Sequence, residues 1–163
     1  METIYFEDLK NENKKVLLVN VSKTYNVCNP SKAKCVTIGN WRVDKKRIIN
    51  LDYIIGVANG EIVCVVPFGG YVKLVDDFDK ITFPCQCNCE CHRQQELDNL
   101  KKFSNNPEKY KEEEEFRRLN GRVYFIEKKK DIDNEFINKY KEKALKMEND
   151  RRIFYGPTRY INL

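Results

Sequence analysis

Tyr53-Ile-Ile-Gly-Val-Ala-Asn-Gly-Glu-Ile-Val-Cys-Val-Val66 is the stretch that decides the fold. Two β-rich runs flank Asn59-Gly60, a pair that tolerates positive φ at both turn positions, as a type I′ hairpin turn requires. Both runs are almost wholly apolar, which predicts a hairpin inside a sheet rather than at its edge. Working outward, Lys15-Val-Leu-Leu-Val-Asn-Val-Ser22 is aliphatic and β-branched and reads as the first strand. Residues 23–40 hold Asn29-Pro30 and Gly39 and are expected to form a long loop. Over residues 43–51, Asp44 is placed to cap a short helix that turns Ile48, Ile49 and Leu51 inward.

Downstream, Pro67 and Gly69-Gly70 interrupt the second run, so residues 71–75 are expected as a short strand after a bulge. Residues 96–103 and 107–119 look helical, and the run Glu112 to Glu115 reads as a solvated helix face. Residues 121–126 alternate and predict a strand. Residues 131–147 place Ile132, Phe136, Ile137, Tyr140 and Ala144 at helical spacing, which predicts an amphipathic helix capped by Asp131 or Asp133. Residues 158–162 read as a closing strand. Strands first, then helices, then a final strand is an α+β order with a mixed or antiparallel sheet. It lacks the alternation of a Rossmann unit, and no Gly-x-x-x-x-Gly-Lys loop is present to cradle phosphate.

The 163 residues suit a single domain, and 41% hydrophobic residues suffice for a proper core. No run of 18 apolar residues is present, so no membrane-spanning helix is expected. The first residues are acidic, without the basic-then-apolar pattern of a secretory signal, which places the protein in the cytoplasm as an expectation. A formal charge of +5, from 30 Lys and Arg against 25 Asp and Glu, permits nucleic-acid binding without requiring it.

The most unusual tract is Cys85-Gln-Cys-Asn-Cys-Glu-Cys-His92. Thiolates and imidazole suit tetrahedral zinc, so Cys85, Cys87, Cys89, Cys91 and His92 are candidate ligands. The spacing is Cys-x-Cys rather than the usual Cys-x-x-Cys, and along an extended strand it sets neighbouring sulfurs about 6.5–7 Å apart. A coiled tract would be needed, with Cys28 or Cys35 available to complete the site. A flexible or redox-sensitive loop without metal, or a tract that merely came with an inserted segment, are the alternatives. Cys64 lies in a core run and reads as a small apolar residue.

Gly39-Asn-Trp-Arg-Val-Asp44 followed by Leu51-Asp-Tyr-Ile-Ile-Gly-Val-Ala-Asn-Gly-Glu-Ile-Val63 resembles a segment of PUA-like domains, the superfamily of the ASCH, EVE and YTH relatives. Gly121-Arg-Val-Tyr-Phe125 and Gly156-Pro-Thr-Arg-Tyr-Ile-Asn162 look like its later strands. The resemblance covers roughly half of one domain spanning 1–163, and residues 76–118 look like an insertion. It implies a small, partly closed mixed or antiparallel β-barrel with flanking helices. It also implies binding of RNA or of DNA carrying a modified or flipped base, held in an aromatic-lined pocket.

Trp41, the only tryptophan, is then a candidate stacking platform, against the commoner fate of a lone tryptophan, a core or rim anchor of its loop. Tyr25, Asn40, Arg42, Arg159 and Tyr160 are candidates for the same pocket, and Lys45, Lys46 and Arg47 for phosphate contact, with Arg42, Lys45 and Lys46 on one helix face. Turn chemistry for Thr24, Tyr25 and Asn26, a barrel-core place for Tyr160 and a solvated basic face are the plainer readings. Two other functions stay open. One is an interaction or decoy protein of a phage or mobile element, which binds a host defence factor or a nucleotide signal. The other is an ASCH-like amidohydrolase on a modified nucleoside, for which Lys23, Thr24 and Glu61 are available but form no motif. With its one histidine in the cysteine tract, a histidine-based triad is not expected, and the chain reads as a non-catalytic binding module.

Overall fold

The computed structural model describes residues 1–25, 33–39, 41–73 and 122–163. The apolar run after Lys15 forms β2 (Val16–Asn20) and the quoted hairpin forms β4 (Tyr53–Ala58) and β5 (Glu61–Lys73). Asn59 and Gly60 adopt φ of 51° and 77°, the positive pair that the turn demands. Before β2 lie β1 (Thr3–Tyr5) and α1 (Phe6–Lys10). Between β2 and β4 come α2 (Ser22–Tyr25), α3 (Ala33–Ile38), β3 (Trp41–Arg42) and α4 (Lys45–Ile48). After β5 the described chain resumes with β6 (Arg122–Glu127), α5 (Asn134–Tyr140), β7 (Ala144–Lys146) and β8 (Thr158–Ile161).

The main sheet runs β1-β7-β5-β4-β2-β8, with β6 on the far half of β5 and β3 on β6. β2 pairs in parallel with β4, and β1 with β7; the other pairings are antiparallel. The predicted hairpin is therefore interior, as its composition requires. The fold is mixed α+β, and among the described residues the sheet is open: the path ends at β1 and β8, which do not pair.

Alternation sends neighbouring side chains to opposite faces. Leu17, Val19, Ile54 and Val66 join a first core with Val36 and Ile38 of α3 and Ile48 of α4. Val16, Leu18, Tyr53, Ile55 and Val65 join a second core with Phe6 and Leu9 of α1 and Phe136 and Tyr140 of α5. Phe136 stacks on Tyr53 at 4.1 Å between ring centroids. Helices thus cover both faces, which is why the central strands need no polar side. One irregularity keeps the alternation in step: Gly56 opposes Cys64 while Val57 opposes Ile62, so Val63 is an extra residue on β5. That bulge lets Ile62 and Val65, three apart, face the same core.

Four sequence expectations are corrected. Within the presumed loop 23–40, residues 33–38 form α3, five of whose six residues are buried. The helix predicted over 131–147 spans only Asn134–Tyr140, capped by the Asp133 carboxylate on the Phe136 N–H. It stops because Glu142 turns to φ 61° and Ala144 joins β7, where its N–H donates to Glu2 O. Ile49 is 65% exposed, although Ile48 and Leu51 are buried as expected. Of the separate strand expected at 71–75, residues 71–73 are instead the far half of β5, which runs through an irregularity between Phe68 and Tyr71, and residues 74–75 lie outside the described residues. The helical expectations at 96–103 and 107–119 and the insertion at 76–118 lie outside the described residues.

Candidate functional site

Asp44 caps α4 through its carboxylate, which accepts the Lys46 N–H at 3.0 Å, and this fixes where Lys45, Lys46 and Arg47 emerge. Arg42 is not on that helix. It lies on β3, directly opposite Arg122 of β6. Residues 41–47 and 122 together carry five basic side chains and one acidic, and that acid is engaged as the cap.

The aromatic candidates gather at the rim of the first core: Tyr25, Trp41 and Tyr160 all pack against it half-buried. Trp41 pairs with Val123, and its Nε1 donates to Thr37 O at 2.7 Å, so its polar edge ties β3 to the end of α3. Tyr160 accepts the Asp44 N–H at its hydroxyl (2.9 Å), and the Arg47 guanidinium lies 3.8 Å from its ring centroid. Arg47 also donates to Leu163 O at 3.2 Å. β8 is thereby locked to the start of α4, and the basic ridge rests on an aromatic base.

Arg159 and Tyr160, grouped at one pocket by the sequence, are separated by the pleat of β8. Arg159 faces the second core, 4.2 Å above the Phe6 ring, and donates to Ile153 O at 2.8 Å and Arg152 O at 3.5 Å. It is a strut for residues 152–153. Thr24 donates within its own turn to Val21 O at 3.4 Å. Asn26, Cys28, Asn40 and the tract with Cys85, Cys87, Cys89, Cys91 and His92 lie outside the described residues. Among the described residues no group of three His, Cys, Asp or Glu side chains is placed to hold a metal ion. Cys35 and Cys64 are buried thiols, and no described helix is long and apolar enough to cross a membrane.

On the face of the second core, a cavity of about 420 Å³ opens outside the carboxyl ends of β2 and β4, a feature that no sequence motif marks. Its walls are Val57, Leu145, Met147, Ile153 and Phe154; Asn20 and Ser22 line its polar side, and Lys146, Asp150, Arg151 and Arg152 line the rest. The Asn20 Oδ1 accepts both the Ser22 N–H (3.2 Å) and the Ser22 hydroxyl (2.7 Å), and Ser22 Oγ in turn accepts the Asn59 N–H at 3.0 Å. This fixes the Asn20 amide and ties the cavity to the hairpin turn. The position explains the missing signal, because residues 20, 57 and 147–154 meet only through tertiary structure. Comparison of the chain with protein-family models, with curated proteins and with solved structures gave no match.

Proposed function

We propose that the chain is a non-catalytic nucleic-acid-binding module whose phosphate-contacting face is the ridge of β3, α4 and the start of β6. The observation that carries this is that β3 and α4 bring four basic side chains, Arg42, Lys45, Lys46 and Arg47, into seven residues with one acid, Asp44, and that β3 pairs Arg42 with a fifth, Arg122. Such groups contact phosphates and set orientation without reading sequence. Tyr25 and Trp41, at the rim of the first core, supply aromatic rings on which an unstacked base would stack. The resemblance of residues 39–44 and 51–63 to PUA-like domains supports the same reading, and an open mixed sheet is the coarser architecture on which it stands.

The test is fluorescence anisotropy with labelled single-stranded RNA, single-stranded DNA and duplex DNA across a salt series. Four phosphate contacts on a single strand would give a log–log salt slope of about −3, and Arg42→Ala with Lys46→Ala would reduce its magnitude by about 1 to 2. Binding that ignores salt, or that ignores this pair of substitutions, would rule the ridge out.

A further inference from the structure

We infer that the cavity outside the carboxyl ends of β2 and β4 is a binding site for a free mononucleotide, separate from the ridge and on the face of the second core, opposite α4. Its volume of about 420 Å³ lies in the range of small-molecule sites. It opens beyond the carboxyl ends of a central parallel strand pair, where open sheets commonly hold ligands. The chemistry divides into three parts. Lys146, Arg151 and Arg152 are exposed and make no ion pair with any described residue, so they supply positive charge for a phosphate. Phe154 and the aliphatic wall supply an apolar slot for a ring. Asn20 and Asp150 supply a donor and an acceptor for the polar edge of a base or for ribose hydroxyls.

Asn20 is the most informative member. Its Oδ1 is occupied twice by Ser22, which sets the orientation of the amide, and its Nδ2 donates to no described residue. A donor held in place by its own acceptor bonds, beside an apolar slot and three cations, matches a ligand that is flat at one end and anionic at the other. A simple inorganic anion would leave the slot unused. A neutral apolar ligand would leave the cations unused.

Isothermal titration calorimetry on the full chain tests this with the common nucleoside 5′-monophosphates, ribose 5-phosphate, inorganic phosphate and a single-stranded oligonucleotide. The expected result is one saturable site for at least one monophosphate, bound more tightly than either phosphate lacking a base. Asn20→Asp keeps the acceptor for Ser22 while removing the donor, and is expected to weaken binding at least ten-fold. Arg151→Ala with Arg152→Ala removes two exposed side chains, so folding is not at stake, and the same loss is expected. No saturable binding of any monophosphate, affinity no better than for inorganic phosphate, binding of the oligonucleotide alone, or affinity unchanged in both variants would each overturn the proposal. The ridge is judged independently, by whether Arg42→Ala with Lys46→Ala weakens oligonucleotide binding.

Discussion

Gly56 sits on β4 where α3 crosses closest, and replacing it with alanine tests how tightly that layer is packed. A Cβ at this position would stand 2.1 Å from Thr37 Oγ1 and 3.2 Å from Thr37 Cβ. Ordinary carbon contacts lie near 3.5–4.0 Å, so the hydroxyl must retreat by over 1 Å. Thr37 has nowhere to go: it is fully buried, and its Oγ1 donates to Ala33 O at 2.8 Å. Overpacking of this kind costs about 1–3 kcal/mol. A displaced hydroxyl adds about 1 kcal/mol from its hydrogen bond. The smaller entropy of the unfolded alanine chain returns about 0.4–1 kcal/mol. We therefore predict that Gly56→Ala destabilises by about 2–3 kcal/mol, and that Thr37→Ala costs about 1–2 kcal/mol by losing a buried methyl and the hydroxyl. The double variant should cost less than the two single costs added, with a coupling of about 1–2 kcal/mol, because the clash is absent. Urea unfolding followed by Trp41 fluorescence suits this, since Trp41 hydrogen-bonds Thr37 O and reports on α3 directly. A Gly56→Ala change within about 0.5 kcal/mol, or strict additivity in the cycle, would refute the account of the α3–β4 contact.

Other predictions concern charge and the wall of the cavity. Glu12 accepts from the Lys139 ammonium at 2.5 Å and from the Tyr140 hydroxyl, and these two bonds hold its carboxyl below the usual carboxylate range. Below the unfolded value of 4.5 the unfolded chain therefore binds the proton more readily, so this stabilisation is present above that pH and is lost as pH falls through the lower folded value. Glu12→Gln should flatten the acid limb of stability against pH and cost about 1–2 kcal/mol at neutral pH in chemical unfolding. Asp44→Ala should cost about 1 kcal/mol by removing the α4 cap. Asp44→Asn keeps a good capping residue, removes the one acid within residues 41–47, and should tighten oligonucleotide binding a few-fold at low salt, with the gain vanishing at high salt. Arg159→Ala should cost about 2 kcal/mol through the lost bond to Ile153 O and the lost contact with Phe6, and should speed amide hydrogen exchange in residues 150–155.

What the sequence made legible is what short-range chemistry controls. Asn59-Gly60 fixes its turn through two backbone angles, and Asp44 and Asp133 fix helix starts through a single nearby N–H each. What it hid depends on partners distant along the chain. Ala144 and Leu145 continue the helical spacing of α5, but their N–H groups donate to Glu2 O and Gly60 O, and two such bonds outweigh a weak propensity. α3 has only six residues, too few for a periodicity to register. At the candidate sites, Arg42, Lys45, Lys46 and Arg47 were readable because they fall within six residues, whereas Arg122 joins them only through the pairing of β6 with β3. The role of Arg159 was not readable, since only the pleat of β8 shows that it turns from Tyr160 toward Phe6. The cavity combines residues from β2, β4 and the segment before β8, and no window of sequence contains them together.

The pairing of β5 with β6 has a consequence for how this chain tolerates change in length. Lys73 at the end of β5 stands directly opposite Val123 near the start of β6. Chain that leaves the frame at residue 73 thus re-enters beside its point of exit, as thread does at a single stitch. The closure term for such an excursion grows only by about 0.6 kcal/mol for each doubling of its length. The frame therefore sets almost no limit on how many residues run between these two points. A tight turn spliced in their place would meet the same two strand ends. Joining residues 73 and 123 by such a turn would therefore leave the Lys73–Val123 pairing in place, and the change in chain length would fall between two strand ends that already face each other.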